Sequence, residues 1–299
     1  MFYQLPPDDD HNELPLTFNS EIGFLNYFLS AAFTEKENNL ASAWTGHEPF
    51  LFCLLHYTKP RRFVELGTHK GNSFFAACQI SQTMNNAIEC IAIDTWEGDE
   101  HAGFYSNKVF ENFKRDFIKY DNIAKYIRKR FSEAVSMFEN KSIDILHIDG
   151  LHTYEAVKED FETWLPKLSD LGIILLHDTQ AKTKDFGVWK LWEELQNTYP
   201  SFEFEHSHGL GVLLVGQNPP AHIKLLFNAM KKEEVVQLVK YFFSGIAGVE
   251  KSKKVLKQSI KRSVQKEFKK SYTWRIGRLF TYLPSQFYKL IQKQKREQF

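Results

Sequence analysis

The chain has 299 residues, of which 43% are hydrophobic and 15% aromatic, so it can bury one large α/β domain with an extension, or two small domains. The N-terminus lacks the basic and apolar regions of a signal peptide, and no apolar run approaches the length of a transmembrane helix. Cys53, Cys78 and Cys90 lie in apolar stretches, which indicates core thiols in a reducing compartment.

The net charge of +1 hides a strong asymmetry along the chain. Residues 1–220 carry 19 Lys and Arg against 32 Asp and Glu, whereas residues 221–299 carry 19 against 5. This split predicts an acidic enzyme body and a basic tail with a separate purpose. We therefore expect a helical lead-in or cap at 1–60, a catalytic domain at 61–220 and a basic helical extension at 221–299.

Residues 1–20 are polar and predict a loose lead-in, and helical spacing predicts helices at 21–33 and 47–57. The stretch R-F-V-E-L-G-T-H-K-G-N-S, residues 62–73, then predicts a strand that enters a glycine turn before a helix at 74–81. Gly67 and Gly71 permit a tight turn and a close approach of the backbone to a ligand. Their spacing is G-x-x-x-G, which differs from the G-x-G-x-x-G of dinucleotide-binding proteins.

A second predicted strand, at 87–93, ends at Asp94. Adenosine-binding βαβ units place an acid that contacts the ribose hydroxyls at this point. Strands and helices then alternate to the end of the domain at 219–220. After Asp94, the sequence predicts a covering loop at 94–106, a helix at 109–120, a strand at 126–131 and a helix from 132 to 138. A strand at 143–148 follows, and then a helix that is opened by Gly150 and closed near Pro166 and Gly172. The last predicted elements are a strand at 173–176, a polar loop at 180–186, a helix at 188–195, and closing strands at 202–205 and 211–215.

Two of these strands end in carboxylates, Asp149 and Asp178. Ligands bind at the carboxyl ends of strands in open parallel sheets, where two carboxylates can share a divalent cation. His152 follows Asp149 by three residues, and an imidazole suits a general base near neutral pH. Simpler roles stay open: a helix cap for Asp149, a turn for Asp178 and a surface position for His152. His147 and His177 lie inside strands, which favours packed or supporting roles.

On these motifs, residues 63–216 resemble a class I S-adenosylmethionine-dependent methyltransferase. E-L-G-T-H-K-G-N-S resembles the first cofactor-binding motif, Asp94 stands at the position of the ribose-binding acid, and the last two strands resemble the terminal hairpin of that fold. The resemblance implies an α/β, Rossmann-like seven-stranded, mostly parallel sheet with an antiparallel C-terminal hairpin, N-terminal helices and an α-helical C-terminal extension. It also implies that S-adenosylmethionine binds Glu65, Gly67, Thr68, Gly71, Ser73, Asp94, Ser132 and Asp149.

Within that class, H-I-D-G-L-H-T-Y followed by H-D-T resembles the metal-dependent O-methyltransferases of the catechol and macrolide-sugar types. This resemblance implies that Asp149 and Asp178 bind Mg²⁺ and that His152 is the catalytic base. The chain departs from the catechol type at Thr179, where those enzymes have asparagine. The third metal ligand is therefore open between Asp99, His101 and water.

The loop D-T-W-E-G-D-E-H-A-G-F-Y, residues 94–105, resembles methyltransferases associated with glycosyltransferases of bacterial surface-polysaccharide synthesis. It implies an O-methyltransferase whose acceptor is a hydroxyl of a sugar or glycan. A hydroxylase or another enzyme on the same scaffold is an alternative, because a fold does not fix a function. A non-catalytic, membrane-docked scaffold for glycan synthesis is a third hypothesis.

The basic tail combines a predicted amphipathic helix at 249–270 with the aromatic, basic segment S-Y-T-W-R-I-G-R-L-F-T-Y-L-P-S-Q-F-Y-K-L. Such a pattern suits an anionic membrane surface, so we expect a cytoplasmic protein, peripheral at the inner membrane face. The segment also resembles tails of cell-surface glycosyltransferases, which are candidate partners. A contact between copies in a homo-oligomer is the alternative. Nucleic acid is not an expected partner, because no recognition motif accompanies the charge.

Overall fold

The structure, a computed structural model, describes residues 25, 27–37, 42–84, 87–183 and 185–270. Its strands are β1 Arg62–Leu66, β2 Glu89–Asp94, β3 Gly98–Asp99, β4 Gly103–Phe104, β5 Ala124–Arg128, β6 Ile143–Ile148, β7 Leu168–His177, β8 Ser201–Phe204 and β9 Leu210–Leu214. Its α-helices are α1 Glu48–Thr58, α2 Asn72–Gln82, α3 Lys108–Phe117, α4 Phe131–Ala134, α5 Tyr154–Trp164, α6 Val188–Leu195, α7 Ala221–Ala229 and α8 Glu233–Lys270.

The main sheet has seven strands in the order β5-β2-β1-β6-β7-β9-β8. The pairs from β5 to β7 are parallel, whereas β9 runs antiparallel to both β7 and β8. This is the predicted Rossmann-like sheet with an antiparallel C-terminal hairpin, and the fold prediction is confirmed. The strand order reverses between β1 and β6, and open α/β sheets bind ligands at the carboxyl edge of such a switch point.

Residues of the central strands are buried on both faces of the sheet. Every residue of β6 is buried, and β7 is buried along its last six residues. Helices cover both sides, as expected for parallel strands with continuous apolar runs. One core lies under α1, α2, α3 and α7, and a second lies under α5 and α6. The rigid sheet therefore holds the polar residues at its carboxyl edge in place.

The chain after the sheet continues to contribute to the first core. Ile223, Leu226 and Phe227 of α7 are buried, and Phe243 of α8 packs edge-on against Phe50 with ring centroids 5.6 Å apart. The compact unit that contains the sheet ends at Ala247, and a second unit begins at Gly248. The three-part division at residues 60 and 220 stays a prediction.

Three of the differences from the predicted elements concern the strands. The strand predicted at 126–131 is Ala124–Arg128, because Phe131 already starts α4, where the carboxylate of Glu133 accepts a hydrogen bond from the backbone N–H of Arg130 at 3.2 Å. The strand predicted at 173–176 begins at Leu168, which pairs with Ile143 across an irregularity in the register. The covering loop contains the short antiparallel hairpin β3–β4, whose strands are too short for a periodic signal.

Several predictions fall wholly or partly outside the described residues. The lead-in at 1–20 and the aromatic, basic segment from residue 271 onward are outside them. Of the helix predicted at 21–33, the described part is helical at 25, 27 and 28 and continues as a 3₁₀ turn at Leu29–Ala31. No helix among the described residues has both the length and the hydropathy that crossing a membrane requires.

Candidate active site

A cavity of about 860 Å³ opens at the carboxyl edge of the sheet, where the strand order reverses. The turn after β1, the ends of β2, β6 and β7, and the β3–β4 hairpin supply its walls. Five of the predicted cofactor-binding residues line it, namely Gly67, Thr68, Ser73, Asp94 and Asp149. The predicted metal ligand Asp178 and the predicted base His152 line the same cavity.

The glycine turn after β1 is forced by a close approach of two backbones. Gly67 has a φ of +89°, and a Cβ there would overlap the carbonyl oxygen of Asp149. Gly71 has a φ of +84° and directly precedes α2. A side chain at residue 67 would therefore push apart the loops that follow β1 and β6.

Asp94 fastens the two loops that flank it. Its Oδ2 accepts a hydrogen bond from the backbone N–H of His69 at 2.7 Å, and its Oδ1 accepts one from that of Trp96 at 2.6 Å. Burial raises the pKa of Asp94 above its ordinary value, although these two hydrogen bonds oppose the shift. Its carboxylate also borders the cavity, so it can hold the turn after β1 and face a ligand at the same time.

Glu65 lies beneath the turn, in a buried hydrogen-bonded chain. The indole N–H of Trp44 donates to Nε2 of His147 at 3.1 Å, so the opposite nitrogen, Nδ1, donates to Oε2 of Glu65 at 2.9 Å. The other oxygen of Glu65 and the hydroxyl of Thr68 are buried without a hydrogen-bond partner in the structure. Trp44 lines the cavity, and no sequence pattern pointed to it.

Ser132, one of the predicted cofactor-binding residues, is not among the residues that line the cavity. It is exposed on the first turn of α4, and its neighbours Arg130 and Phe131 line the cavity instead. Glu65 and Gly71 support the turn from outside the lining. The roles of these three residues stay predictions.

Two aspartates and two histidines lie next to one another on the cavity wall, at the carboxyl ends of β6 and β7. His152 Nε2 lies 2.9 Å from Asp178 Oδ2 and 3.6 Å from Asp149 Oδ1. His177 Nδ1 lies 3.1 Å from Asp149 Oδ1 and 3.3 Å from Asp178 Oδ2. Ligand atoms of Asp149, His152 and Asp178 all lie within 4.8 Å of one another, as a shared metal ion would need. The sequence brought three of these residues together, and the structure adds His177.

A left-handed residue explains how two consecutive side chains reach this cluster. Side chains that follow one another along a strand point to opposite faces. Asp178 has a φ of +64°, so the chain turns sharply after β7, and Asp178 joins His177 beside Asp149. Aspartate tolerates this conformation better than most residues do, but a non-glycine residue held in it costs free energy and often marks a functional site.

The four groups of the cluster shift one another's protonation. Burial alone would lower the pKa of His152, but the carboxylates of Asp149 and Asp178, 3.6 and 2.9 Å from its Nε2, outweigh that effect and raise the pKa to about 9. Burial opposed by the charge of Asp149 likewise leaves the pKa of His177 raised, to about 10. The pKa of both carboxyls is lowered by the histidines, against the effect of burial. His152, the predicted base, is therefore protonated at neutral pH when no cation is bound. The sequence predicts an ordinary imidazole pKa near neutral pH, and the two neighbouring carboxylates account for the difference.

The predicted third metal ligands lie outside the cluster. Oδ1 of Asp99 accepts the backbone N–H groups of His101 and Ala102, both at 2.7 Å, and so closes its own turn. The ring of His101 stacks on Phe186 with centroids 4.9 Å apart. Thr179 is buried, and its hydroxyl has no hydrogen-bond partner in the structure. Among the described residues, neither Asp99 nor His101 belongs to the group of side chains that could hold an ion.

The β3–β4 hairpin covers the cavity through aromatic contacts, as predicted for this loop. Tyr105 stacks on His69 with ring centroids 4.5 Å apart and planes 8° from parallel. His69 belongs to the turn after β1, residues 67–71, which we call the cofactor turn because of its predicted role. Phe186, from the polar loop, stacks on His152 at 4.6 Å. The two stacked pairs therefore line the cavity, Tyr105 with His69 on one side and Phe186 with His152 on the other.

The donors around the cavity fit an adenosine cofactor and a divalent ion. The buried, unpartnered hydroxyl of Thr68, the bare backbone at Gly67 and the carboxylate of Asp94 suit the cofactor. Asp149 and Asp178 offer the oxygen ligands that divalent cations prefer. With the sheet order, these features are typical of α/β proteins that bind a nucleoside cofactor at the switch point.

Residues 64–179 match the family model described as "Methyltransferase domain". This segment contains the turn after β1, Asp94, Asp149, His152 and Asp178. The match agrees with the predicted class of enzyme, an S-adenosylmethionine-dependent methyltransferase.

The chain is also similar to individual known proteins. It is 47% identical over 176 residues to the uncharacterized protein y4gI of Sinorhizobium fredii, a match that covers 59% of this chain and 19% of that protein. The solved methyltransferase PaMTH1 of Podospora anserina matches with 16% identity and a TM-score of 0.44, covering 64% of this chain and 86% of its own. A putative caffeoyl-CoA O-methyltransferase of Staphylococcus aureus matches with 17% identity and a TM-score of 0.44, covering 65% and 92%. The chain thus spans about a fifth of the length of the curated relative.

Proposed function

We propose that this chain transfers the methyl group of S-adenosylmethionine to a hydroxyl of a sugar or glycan, with a divalent ion at Asp149 and Asp178 and with His152 as the base. The observation that carries the proposal is one cavity that joins the cofactor turn to the Asp149–His152–Asp178 cluster. A methyl donor at one end and a hydroxyl-activating group at the other are the two requirements of O-methylation.

The residues divide the reaction between binding and proton transfer. The Gly67 turn and Asp94 hold the methyl donor, and orientation of two reactants can supply about 7–11 kcal/mol of a barrier. The acceptor oxygen attacks the methyl carbon, the carbon–sulfur bond breaks and its electrons remain on sulfur. The hydroxyl proton passes to Nε2 of His152, which lies on the cavity wall. The products are a methyl ether and S-adenosylhomocysteine.

A divalent ion bound at the two carboxylates lowers the pKa of a hydroxyl that it contacts. Asp149 and Asp178 are also the groups that hold His152 protonated when no cation is present. A cation held by these carboxylates would offset their charge, so the pKa of His152 would move back toward its ordinary value and the ring could accept a proton. This coupling makes the basicity of His152 depend on the occupancy of the carboxylates.

A polar sugar acceptor is supported by the surroundings of His152. A second cavity of about 540 Å³ adjoins its stacking partners, and its lining is rich in polar groups: Glu100, His101, Thr153, Glu155, Asp185 and Lys190. On the other rim, Phe104 is 82% exposed. The polar groups on one side of the site match the hydroxyls of a sugar, and the exposed aromatic ring on the other side matches its C–H face.

The test of the proposal is methyl transfer from S-adenosylmethionine to saccharide acceptors, followed by mass spectrometry of the products. A methyl ether on a sugar is expected from the wild-type chain, and none from Asp178→Asn. Binding of the methyl donor without any transfer to a hydroxyl would contradict the proposal.

We also propose that the basic chain after residue 220 associates with an anionic membrane surface, at the inner face of the membrane, near glycosyltransferases. The supporting observation is the excess of 19 basic over 5 acidic residues there. Because α7 and the start of α8 pack in the core, a truncation that tests this must keep them. A chain that ends at Ala247 keeps the packed part of α8 and removes most of the basic residues, so it should lose binding to anionic liposomes and keep binding of the methyl donor. Unchanged liposome binding would contradict membrane association and would leave the contact between copies as the alternative.

A further inference from the structure

We infer that His177 is the third side-chain ligand of the ion, and that the site therefore prefers a transition ion such as Mn²⁺ to Mg²⁺. This inference rests on the proposed function. The sequence favours a packed or supporting role for His177. As a ligand, His177 would replace the asparagine that catechol-type enzymes have at the position of Thr179.

The orientation of the His177 ring fits a ligand. Its Nε2 lies 3.1 Å from the backbone carbonyl oxygen of Ser207, which can only accept, so Nε2 carries the hydrogen. In the neutral ring, Nδ1 then presents its lone pair to Asp149 and Asp178. Metal-binding histidines commonly donate their other N–H to a carbonyl in this way, which fixes both tautomer and ring orientation.

The distances also fit a common ion. For bonds of about 2.1 Å, neighbouring donors in an octahedral shell stand about 3.0 Å apart. His177 Nδ1 is 3.1 and 3.3 Å from the nearest oxygens of the two aspartates, so it is close to this spacing from both. Its side chain is 1% exposed, so the ring is held in place by packing.

His152 is the competing nitrogen ligand, and its environment differs. It is close to Asp178, at 2.9 Å, but 3.6 Å from Asp149. Its Nδ1 is buried without a hydrogen-bond partner in the structure, so nothing fixes the tautomer. The ring stacks on Phe186 and faces the cavity, where an acceptor would lie. These features suit a group that exchanges a proton better than a fixed ligand.

A nitrogen ligand changes the choice of metal. Mg²⁺ favours all-oxygen shells, with water completing the octahedron. Imidazole suits Zn²⁺ and Fe²⁺, and Mn²⁺, although it has the lowest affinity of the first-row divalent ions, accepts a nitrogen ligand more readily than Mg²⁺ does. Two carboxylates with one imidazole therefore bind these ions more tightly than Mg²⁺.

The test uses the full chain after removal of metal with a chelator. Mn²⁺ and Mg²⁺ are titrated by calorimetry, and the Mn²⁺ form is examined by electron spin-echo spectroscopy for coupling to nitrogen. We expect Mn²⁺ to bind at least about tenfold more tightly than Mg²⁺. The nitrogen coupling should be present in the wild type and in His152→Gln.

Two further variants complete the comparison. His177→Gln should weaken Mn²⁺ binding at least about tenfold and remove the nitrogen coupling, whereas Thr179→Ala should change neither. Equal affinity for the two ions, absence of nitrogen coupling in the wild type, or its loss in His152→Gln would overturn the inference. The spectrum of His152→Gln answers the question even if His177→Gln does not fold.

These outcomes separate the inference from the proposed function, because neither measurement needs methyl transfer. If Mn²⁺ binds through His177 but no acceptor is methylated, only the proposed function fails. If a sugar is methylated while bound Mn²⁺ shows no nitrogen ligand, only the inference fails.

Discussion

The imidazole of His152 lies 2.9 Å from the carboxylate of Asp178, across the carboxyl ends of two neighbouring strands. His177 and Asp149 complete the cluster. The pKa of each histidine is raised and that of each carboxyl is lowered, so two imidazolium charges compensate two carboxylate charges. The cluster is therefore stable without a cation and is also able to exchange its protons for one. Its protonation links folding, ion binding and proton transfer.

The first prediction concerns the stability of the metal-free chain against pH. The folded pKa of His152, about 9, is above its unfolded value, so its stabilisation is complete below about pH 6.5 and is lost as the pH rises through 9. His177 acts in the same direction, with a folded pKa of about 10. At about 1.4 kcal/mol for each pKa unit, the rise from 6.5 to about 9 corresponds to at most about 3.5 kcal/mol from His152.

Urea unfolding in the presence of a chelator measures this effect. The free energy of unfolding should fall between about pH 6.5 and pH 9, and the fall should be smaller in His152→Gln. The carboxyls act in the opposite window, because their lowered pKa values stabilise the fold above their unfolded values near pH 4. A free energy that rises between neutral pH and pH 9 would show that the histidines are not held protonated.

Asp94→Ala should weaken binding of S-adenosylmethionine at least about tenfold, because the carboxylate holds the backbone at His69 and Trp96 on the two sides of the cavity. Calorimetric titration with the methyl donor measures the change. Asp121→Ala is the matched control, since Asp121 is exposed and lies outside the cavity lining. Equal losses in the two variants, or none in either, would remove Asp94 from the binding site.

Gly67→Ala should destabilise the fold by more than about 3 kcal/mol, because the new methyl group meets backbone and the residue has a positive φ. Gly103→Ala separates the two causes. Gly103 has a φ of +79°, but a Cβ there meets nothing within 4 Å, so only the backbone cost of about 1–2 kcal/mol applies. Chemical denaturation of both variants gives the comparison, and similar losses would mean that the turn after β1 can move away from Asp149.

Asp178→Asn should reduce methyl transfer at least about a hundredfold and leave the affinity for S-adenosylmethionine nearly unchanged. Asp178 contacts the histidine cluster, whereas the cofactor turn is held by Asp94. Asp170→Asn is the control, because Asp170 is exposed on the surface. Rates from labelled methyl donor and affinities from calorimetry separate the two effects. A variant that loses both equally would place Asp178 in cofactor binding.

Much of the fold follows from the sequence because parallel strands form continuous apolar runs that end in polar residues. Asp94, Asp149 and Asp178 each stand where a buried strand ends, and the sheet brings those ends together. His152 could be placed beside Asp149 because the separation of three residues keeps the pair on one side of the loop.

Other parts of the site have no local signal. His177 lies within a strand, and only the left-handed φ of Asp178 places both side chains at the same point. Aspartate is not restricted to that conformation, so its sequence position does not reveal it. Trp44 reaches His147 across a large separation in the chain, and the pKa of His152 depends on partners from another strand. Such features arise from tertiary packing rather than from periodicity.

The most direct measurement is a reaction of the wild-type chain with S-adenosylmethionine labelled in its methyl group, Mn²⁺ and a mixture of bacterial saccharides. The products are analysed by mass spectrometry, with Asp178→Asn in parallel. The proposed function predicts the label in a methyl ether on a sugar oxygen, and its loss in the variant. Label on nitrogen or carbon, or no transfer by a chain that binds the methyl donor and Mn²⁺, would contradict it.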